Sequence, residues 1–112
     1  MVVRLLSPLS PGQYTLQIYY ASLVRKDLMG CYLSYSNGYP FVLTQFEPNY
    51  ARTFLPTFDE PSIKLVFELT IISPSNFSLF FNTPVQSSAP FTLQSRQGHL
   101  LAYQSTTFAP TP

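Results

Sequence analysis

Apolar and polar side chains alternate along most of this chain, the pattern of strands with one buried face, and nothing long follows the 3.6-residue period of an amphipathic helix. After the turn signal SPG at residues 10–12, YTLQIYY sets Tyr14, Leu16, Ile18 and Tyr20 on one face and Thr15, Gln17 and Tyr19 on the other. CYLSY (31–35) is followed by Asn37-Gly38, a pair that tolerates positive φ and predicts a tight type I′ hairpin, with FVLTQFE (41–47) pairing back. The clearest alternation is IKLVFELTII: Ile63, Leu65, Phe67, Leu69 and Ile71 make one wholly apolar row. Shorter runs follow at FSLFF (77–81), PFTLQS and LLAYQSTTF. About seven short strands with regular turn signals predict an all-β chain, an antiparallel β-sandwich or curved sheet.

Between Pro48 and Pro61 the alternation lapses. NYARTF (49–54) allows one helical turn capped by Asn49 and limited by Pro56, so the region reads as a structured loop crossing between strand pairs. The length of 112 residues suits one domain and leaves no room for two.

Composition narrows the function classes. Charged residues make up 10%, against roughly 25% in an average domain, while 8 Tyr and 10 Phe argue against disorder. The net charge of +1, with Lys and Arg scattered, offers no basic stripe for nucleic acid. No apolar run approaches the ~18 residues of a membrane span. MVVRLLSPLSPG is interrupted by Pro8 and Pro11 before a secretory core could form, so no export address or membrane segment is expected in this chain. Cys31, the single cysteine, excludes an internal disulfide and reads as a buried, inert thiol.

The stretch TQFEPNYARTFLPTFDEPSIKLVFELTI resembles the signature of the N-terminal β domain of the aminopeptidase N-like zinc metallopeptidases. Thr44, Gln45, Phe46, Glu47, Pro48, Ala51, Arg52, Pro56, Phe58, Asp59, Glu60, Pro61, Lys64 and Phe67 fall on that pattern. Upstream, Gly12, Tyr14, Leu16, Ile18, Tyr20, Leu28, Gly30 and Tyr32 match its G-x-Y-x-L-x-I-x-Y and L-x-G-x-Y runs; downstream, FFNTPV and TTFAPTP are similar to its later segments. Thr57 departs where the family has Cys, Leu65 where it has Ala, and the aromatic of its F-P pair is displaced to Phe54.

The resemblance implies a single partial domain over residues 1–112, opening inside the domain's first strands and stopping before it is complete. The family's zinc site uses H-E-x-x-H and a further Glu, and its G-A-M-E-N strand holds the substrate amine. Neither motif occurs here and His99 is the only histidine, so no catalytic residue, metal ligand or cofactor is expected in this chain; zinc is implied for full-length relatives. There, Gln45 and Glu47 would contact the substrate's first residue and free α-amine, making peptide N-termini the partner. Arg52, Pro56, Asp59, Glu60, Pro61 and Lys64 would form a structural loop, with Asp59 or Glu60 paired to Arg52 or Lys64. Such relatives are cytoplasmic, membrane-anchored or secreted, and the compartment of this chain stays open.

Competing readings are weaker. Adjacent Asp59 and Glu60 point apart, whereas a two-carboxylate acid/base site needs facing groups about 5–9.5 Å apart. His99 has no G-x-S-x-G nucleophile beside it. Asn76-Phe77-Ser78 is a formal glycosylation sequon, but one match among four Asn says nothing about secretion. A non-catalytic interaction module is the alternative function, because open strand edges and an uncovered apolar face recruit other chains or a second copy. An independent carbohydrate- or peptide-binding sandwich would leave the motif register unexplained.

Overall fold

The computed structural model describes residues 4–112, so the first three positions of MVVRLLSPLSPG lie outside the described residues. The chain divides into two compact units, one ending at Ile63 and the other spanning Lys64–Pro112. All regular structure among the described residues is antiparallel sheet, apart from one 3-10 turn, and both sheets are open.

In the first unit, β1 (Gly30–Ser36) and β2 (Tyr39–Gln45) form the expected hairpin, in register from Gly30↔Gln45 to Ser36↔Tyr39. Asn37 and Gly38 have φ of 49° and 82°, as a two-residue type I′ loop requires. The other edge of β1 meets Arg25, which donates its N–H to the Cys31 carbonyl (2.8 Å) and accepts from Leu33 N–H (2.9 Å). Cys31 is thereby buried, and burial pushes its thiol pKa up.

The Arg25 guanidinium grips both carboxylate oxygens of Asp27, which holds the Asp27 carboxyl below its usual range. Leu28 (φ 64°) and Gly30 (φ 66°) then turn the chain into β1. At Gly30 the backbone runs against the 3-10 turn η1 (Ala51–Thr53): a Cβ there would sit 2.4 Å from Thr53 Oγ1. That hydroxyl is itself fixed, donating to the Tyr50 carbonyl at 2.7 Å.

The second unit is a three-stranded sheet of β3 (Thr70–Pro74), β4 (Val85–Gln94) and β5 (Leu100–Phe108), in the order β3-β5-β4. Central β5 pairs antiparallel with both neighbours, and the register of β4 shifts between Val85 and Ser87. Phe108, 2% exposed, is the one large side chain among the described residues fully withdrawn from water, and its ring lies 5.3 Å from that of Phe81. Hydroxyls cross-link the strands: Thr70 to Thr107 (2.9 Å) and Ser88 to Thr106 (3.3 Å). Ser73 is buried with its hydroxyl unpartnered among the described residues.

Three expected strands differ. YTLQIYY is not paired into a ladder, and its aromatic and leucine side chains are exposed. In IKLVFELTII only residues from Thr70 onward enter a strand, leaving Ile63, Leu65 and Phe67 exposed. The ladder fails where β5 would continue, because Pro110 has no N–H to donate; isolated bonds remain, from Phe108 N–H to Leu69 O (2.9 Å), from Thr111 N–H to Phe67 O (3.0 Å) and from Phe67 N–H to Thr111 Oγ1 (2.9 Å). FSLFF lies outside any strand, although Phe81 packs on Phe108. The helical turn forms one residue later than predicted, after Tyr50, with no side-chain cap from Asn49.

Both glycines have positive φ, so alanine at either costs about 1–2 kcal/mol of left-handed backbone strain; Gly30→Ala adds a clash with Thr53, whereas at Gly38 an added Cβ meets nothing within 4 Å. Gly30→Ala should therefore lower the melting temperature clearly more than Gly38→Ala, as followed by circular dichroism. Equal shifts would show that the Gly30–Thr53 contact does not matter.

Candidate substrate-contact loop

Gln45 is the last residue of β2, and Glu47 follows it across Phe46. Phe46 turns inward, half-buried, and stacks on Phe54 with ring centroids 6.3 Å apart, so its two neighbours are left exposed. Glu47 N–H donates to Gln45 Oε1 at 3.4 Å, linking the two residues. The Glu47-Pro48 peptide is cis, and the chain doubles back at once, with Tyr50 N–H donating to the Phe46 carbonyl at 2.8 Å. A carboxylate and an amide oxygen are thus presented together by a segment anchored through its central aromatic. Both can accept hydrogen bonds from an ammonium group.

Arg52 closes the rest of the loop. Its backbone N–H donates to Asp59 Oδ2 (3.1 Å), its Nε to the same oxygen (3.3 Å), and its Nη2 to the Asp59 carbonyl (2.8 Å) and to Glu60 Oε1 (3.3 Å). Asp59 reaches these donors with a φ of 55°, a conformation that Asp tolerates better than most residues. Its side chain is only 14% exposed. Pro61 then sits inside a turn closed by Ile63 N–H donating to the Glu60 carbonyl at 2.9 Å. Pro56 is exposed between half-buried Leu55 and Thr57.

Of the two cations considered as partners for Asp59 and Glu60, Arg52 takes both; Lys64 belongs to the second unit and forms no ion pair among the described residues. This leaves the charges unevenly matched. Asp27 has Arg25, and Asp59 and Glu60 share Arg52, but Glu47 in this loop, like Glu68 in the second unit, has no cationic partner among the described residues. Asp59 and Glu60 are thus gathered on one guanidinium.

Other candidates stay apart from this loop in the chain. His99 is exposed in the turn from β4 to β5, where its backbone N–H donates to Ser95 Oγ at 3.1 Å. Among the described residues no three His, Cys, Asp or Glu side chains come together to hold a metal ion. A shallow depression of ≈ 150 Å³ in the second unit, lined by Ser75, Ser88, Ala89, Pro90, Tyr103 and Gln104, contains none of the residues singled out from the sequence. Sequence reasoning missed the Arg25–Asp27 grip, for which the two-residue spacing was the available signal. It also gave no role to Phe54, the aromatic out of place in the motif, which supplies the stacking partner of Phe46.

Known proteins resemble the whole of this sequence. The family described as "Peptidase M1 N-terminal domain" matches residues 1–111. Human Aminopeptidase Q is 34% identical over 90 residues, covering 75% of this chain, and chicken (Gallus gallus) Aminopeptidase Ey is 34% identical over 117 aligned positions, covering all of it. Dog (Canis lupus familiaris) Aminopeptidase N is 39% identical over 98 residues, 82% of this chain. The aligned parts are 9%, 12% and 10% of those three proteins, so the chain spans about a tenth of their length. No solved structure matches. The family match across nearly every residue, carried by relatives at these identities, shows that the chain belongs to the M1 peptidase family and corresponds to its N-terminal domain.

Proposed function

We propose that this chain is a non-catalytic part of a zinc aminopeptidase, a single partial domain that lends one wall to the cleft where a peptide's N-terminus is held. The observation that carries the reading is the free charge of Glu47. In a loop whose other carboxylates are paired with Arg52, Glu47 stands exposed beside Gln45, ready to accept hydrogen bonds from an α-ammonium. The zinc and its ligands belong to the rest of the parent enzyme. The described residues gather no ligand set for the ion, and no hydrolytic step is assigned to them.

The isolated chain with added zinc should release no fluorophore from aminoacyl substrates; turnover that a chelator abolishes would overturn the reading. The cleft contribution is tested in a chimera in which this chain replaces the matching tenth of dog Aminopeptidase N. There, Glu47→Gln removes a charge-assisted bond worth about 1.5–3 kcal/mol, which raises KM for free-amine substrates about 10- to 100-fold. An unchanged KM in an active chimera would remove Glu47 from the cleft.

In the same reading, Arg52, Pro56, Asp59, Glu60 and Pro61 hold the loop that carries the two acceptors, and Lys64 drops out of it. Arg52→Ala removes the side-chain bonds to Asp59 and Glu60, leaving Asp59 only the backbone N–H of residue 52, and should cost about 1–2 kcal/mol, several degrees of melting temperature for a chain this size. Arg52→Lys, which keeps the charge but loses the fork, should fall between. A melting temperature insensitive to Arg52→Ala would show that the knot does not hold the loop.

A second reading, an interaction module, is favoured by one observation. Leu16, Tyr19 and Leu23 in the first unit, and Val66 and Phe80 in the second, are each well over half exposed, in a chain with few charges to keep it soluble. Association through strand edges is opposed by Pro40, Pro74 and Pro90, which stand in β2, β3 and β4, because a proline cannot donate to an added strand. The exposed apolar segments are the better contact. Light scattering on the purified chain should give a mass above 12.7 kDa that grows with concentration and falls in Leu16→Lys. A monodisperse monomer at high concentration would count against self-association.

A further inference from the structure

The sequon at Asn76-Phe77-Ser78 has no part in the loop chemistry, and its setting gives it another use. Asn76 lies in the turn that follows β3, closed by Phe77 N–H donating to the Pro74 carbonyl at 3.0 Å. Asn76, Phe77 and Ser78 are all exposed. The Asn76 amide and the Ser78 hydroxyl form no hydrogen bond among the described residues, and from Ser75 to Pro84 the backbone belongs to no strand. We infer that Asn76 is an acceptor for N-linked oligosaccharide whenever this chain passes through a glycosylating compartment.

Access decides whether a sequon is used. A glycosylating enzyme must bend the acceptor segment into its own cleft, with the amide and the hydroxyl two residues on both presented to it. A sequon locked in a ladder cannot bend without breaking backbone bonds. One tied down by a single turn bond can. The intervening residue is Phe77 and not the proline that would forbid the motif. In the transfer, Asn76 Nδ2 loses one proton and bonds the anomeric carbon of a polyprenyl-diphosphate-linked oligosaccharide. The bond from that carbon to the diphosphate oxygen breaks, and the polyprenyl diphosphate leaves with the electron pair, so nothing is oxidised or reduced. A bulky hydrophilic group at this turn would also stand between solvent and the exposed rings of Phe77 and Phe80.

The full chain, fused to a cleavable secretory leader and expressed in eukaryotic cells, provides the test. The secreted protein should carry a mass increment that a peptide amidase removes, converting residue 76 from Asn to Asp in the tryptic peptide. Asn76→Gln, Ser78→Ala and Phe77→Pro should each lose the increment. Ser78→Thr should keep or raise occupancy, which separates loss of the acceptor from loss of the fold. A secreted wild-type chain that is unmodified at residue 76, or an increment that survives Asn76→Gln, would overturn the inference.

Discussion

A strand exists in this chain only where a second segment supplies its hydrogen-bonding partner, and that constraint decides which alternating runs become sheet. A β-strand, unlike a helix, satisfies none of its backbone groups internally, so a perfect apolar row is only a half-statement of a strand. β5 lies between two partners and anchors its unit, burying Thr106 and Phe108 almost completely. Two residues past its end, Pro110 removes a donor and the ladder gives way to isolated bonds between Phe67 and Thr111, while Ile63, Leu65 and Phe67 lie outside any strand with their side chains exposed. The same logic leaves YTLQIYY extended and unpaired.

Features that are local in the sequence were therefore legible, and features that depend on distant partners were not. Asn37-Gly38 specifies its own turn through the φ values those residues tolerate, so the hairpin, its loop length and its register follow directly. The same holds for the turn at Ser95 to His99, where Gly98 has a φ of 84°. By contrast, no pattern near Gly30 announces that Thr53 will press against it, because the contact joins residues 23 positions apart through a turn the sequence only allows. Nor does charge spacing reveal that Arg52 will serve both Asp59 and Glu60. That outcome follows from the left-handed φ of Asp59, which turns its carboxylate and carbonyl toward one guanidinium.

The motif loop shows how a charge-poor chain spends the few charges it has. Arg25 and Arg52 each meet carboxylates from the same short stretch, tying local turns that have little apolar burial to hold them. Phe46 on Phe54 supplies the remaining anchor. Arg52 with Asp59 and Glu60, and Phe46 with Phe54, all act within the motif loop, whereas the strands around it depend on more distant partners.

Anchoring of this kind matters for the acceptors it carries. A carboxylate on a mobile arm loses much of the worth of a charge-assisted bond to the entropy of being ordered on binding; one already placed does not. Gln45 is fixed by its place in β2, Phe46 by stacking, and the following turn by the bond from Tyr50 to Phe46. Glu47 sits among these fixed points with its charge unmatched. In the proposed reading, a loop that pairs Asp59 and Glu60 with Arg52 and leaves Glu47 exposed keeps the charge meant for a ligand apart from those that hold the turn.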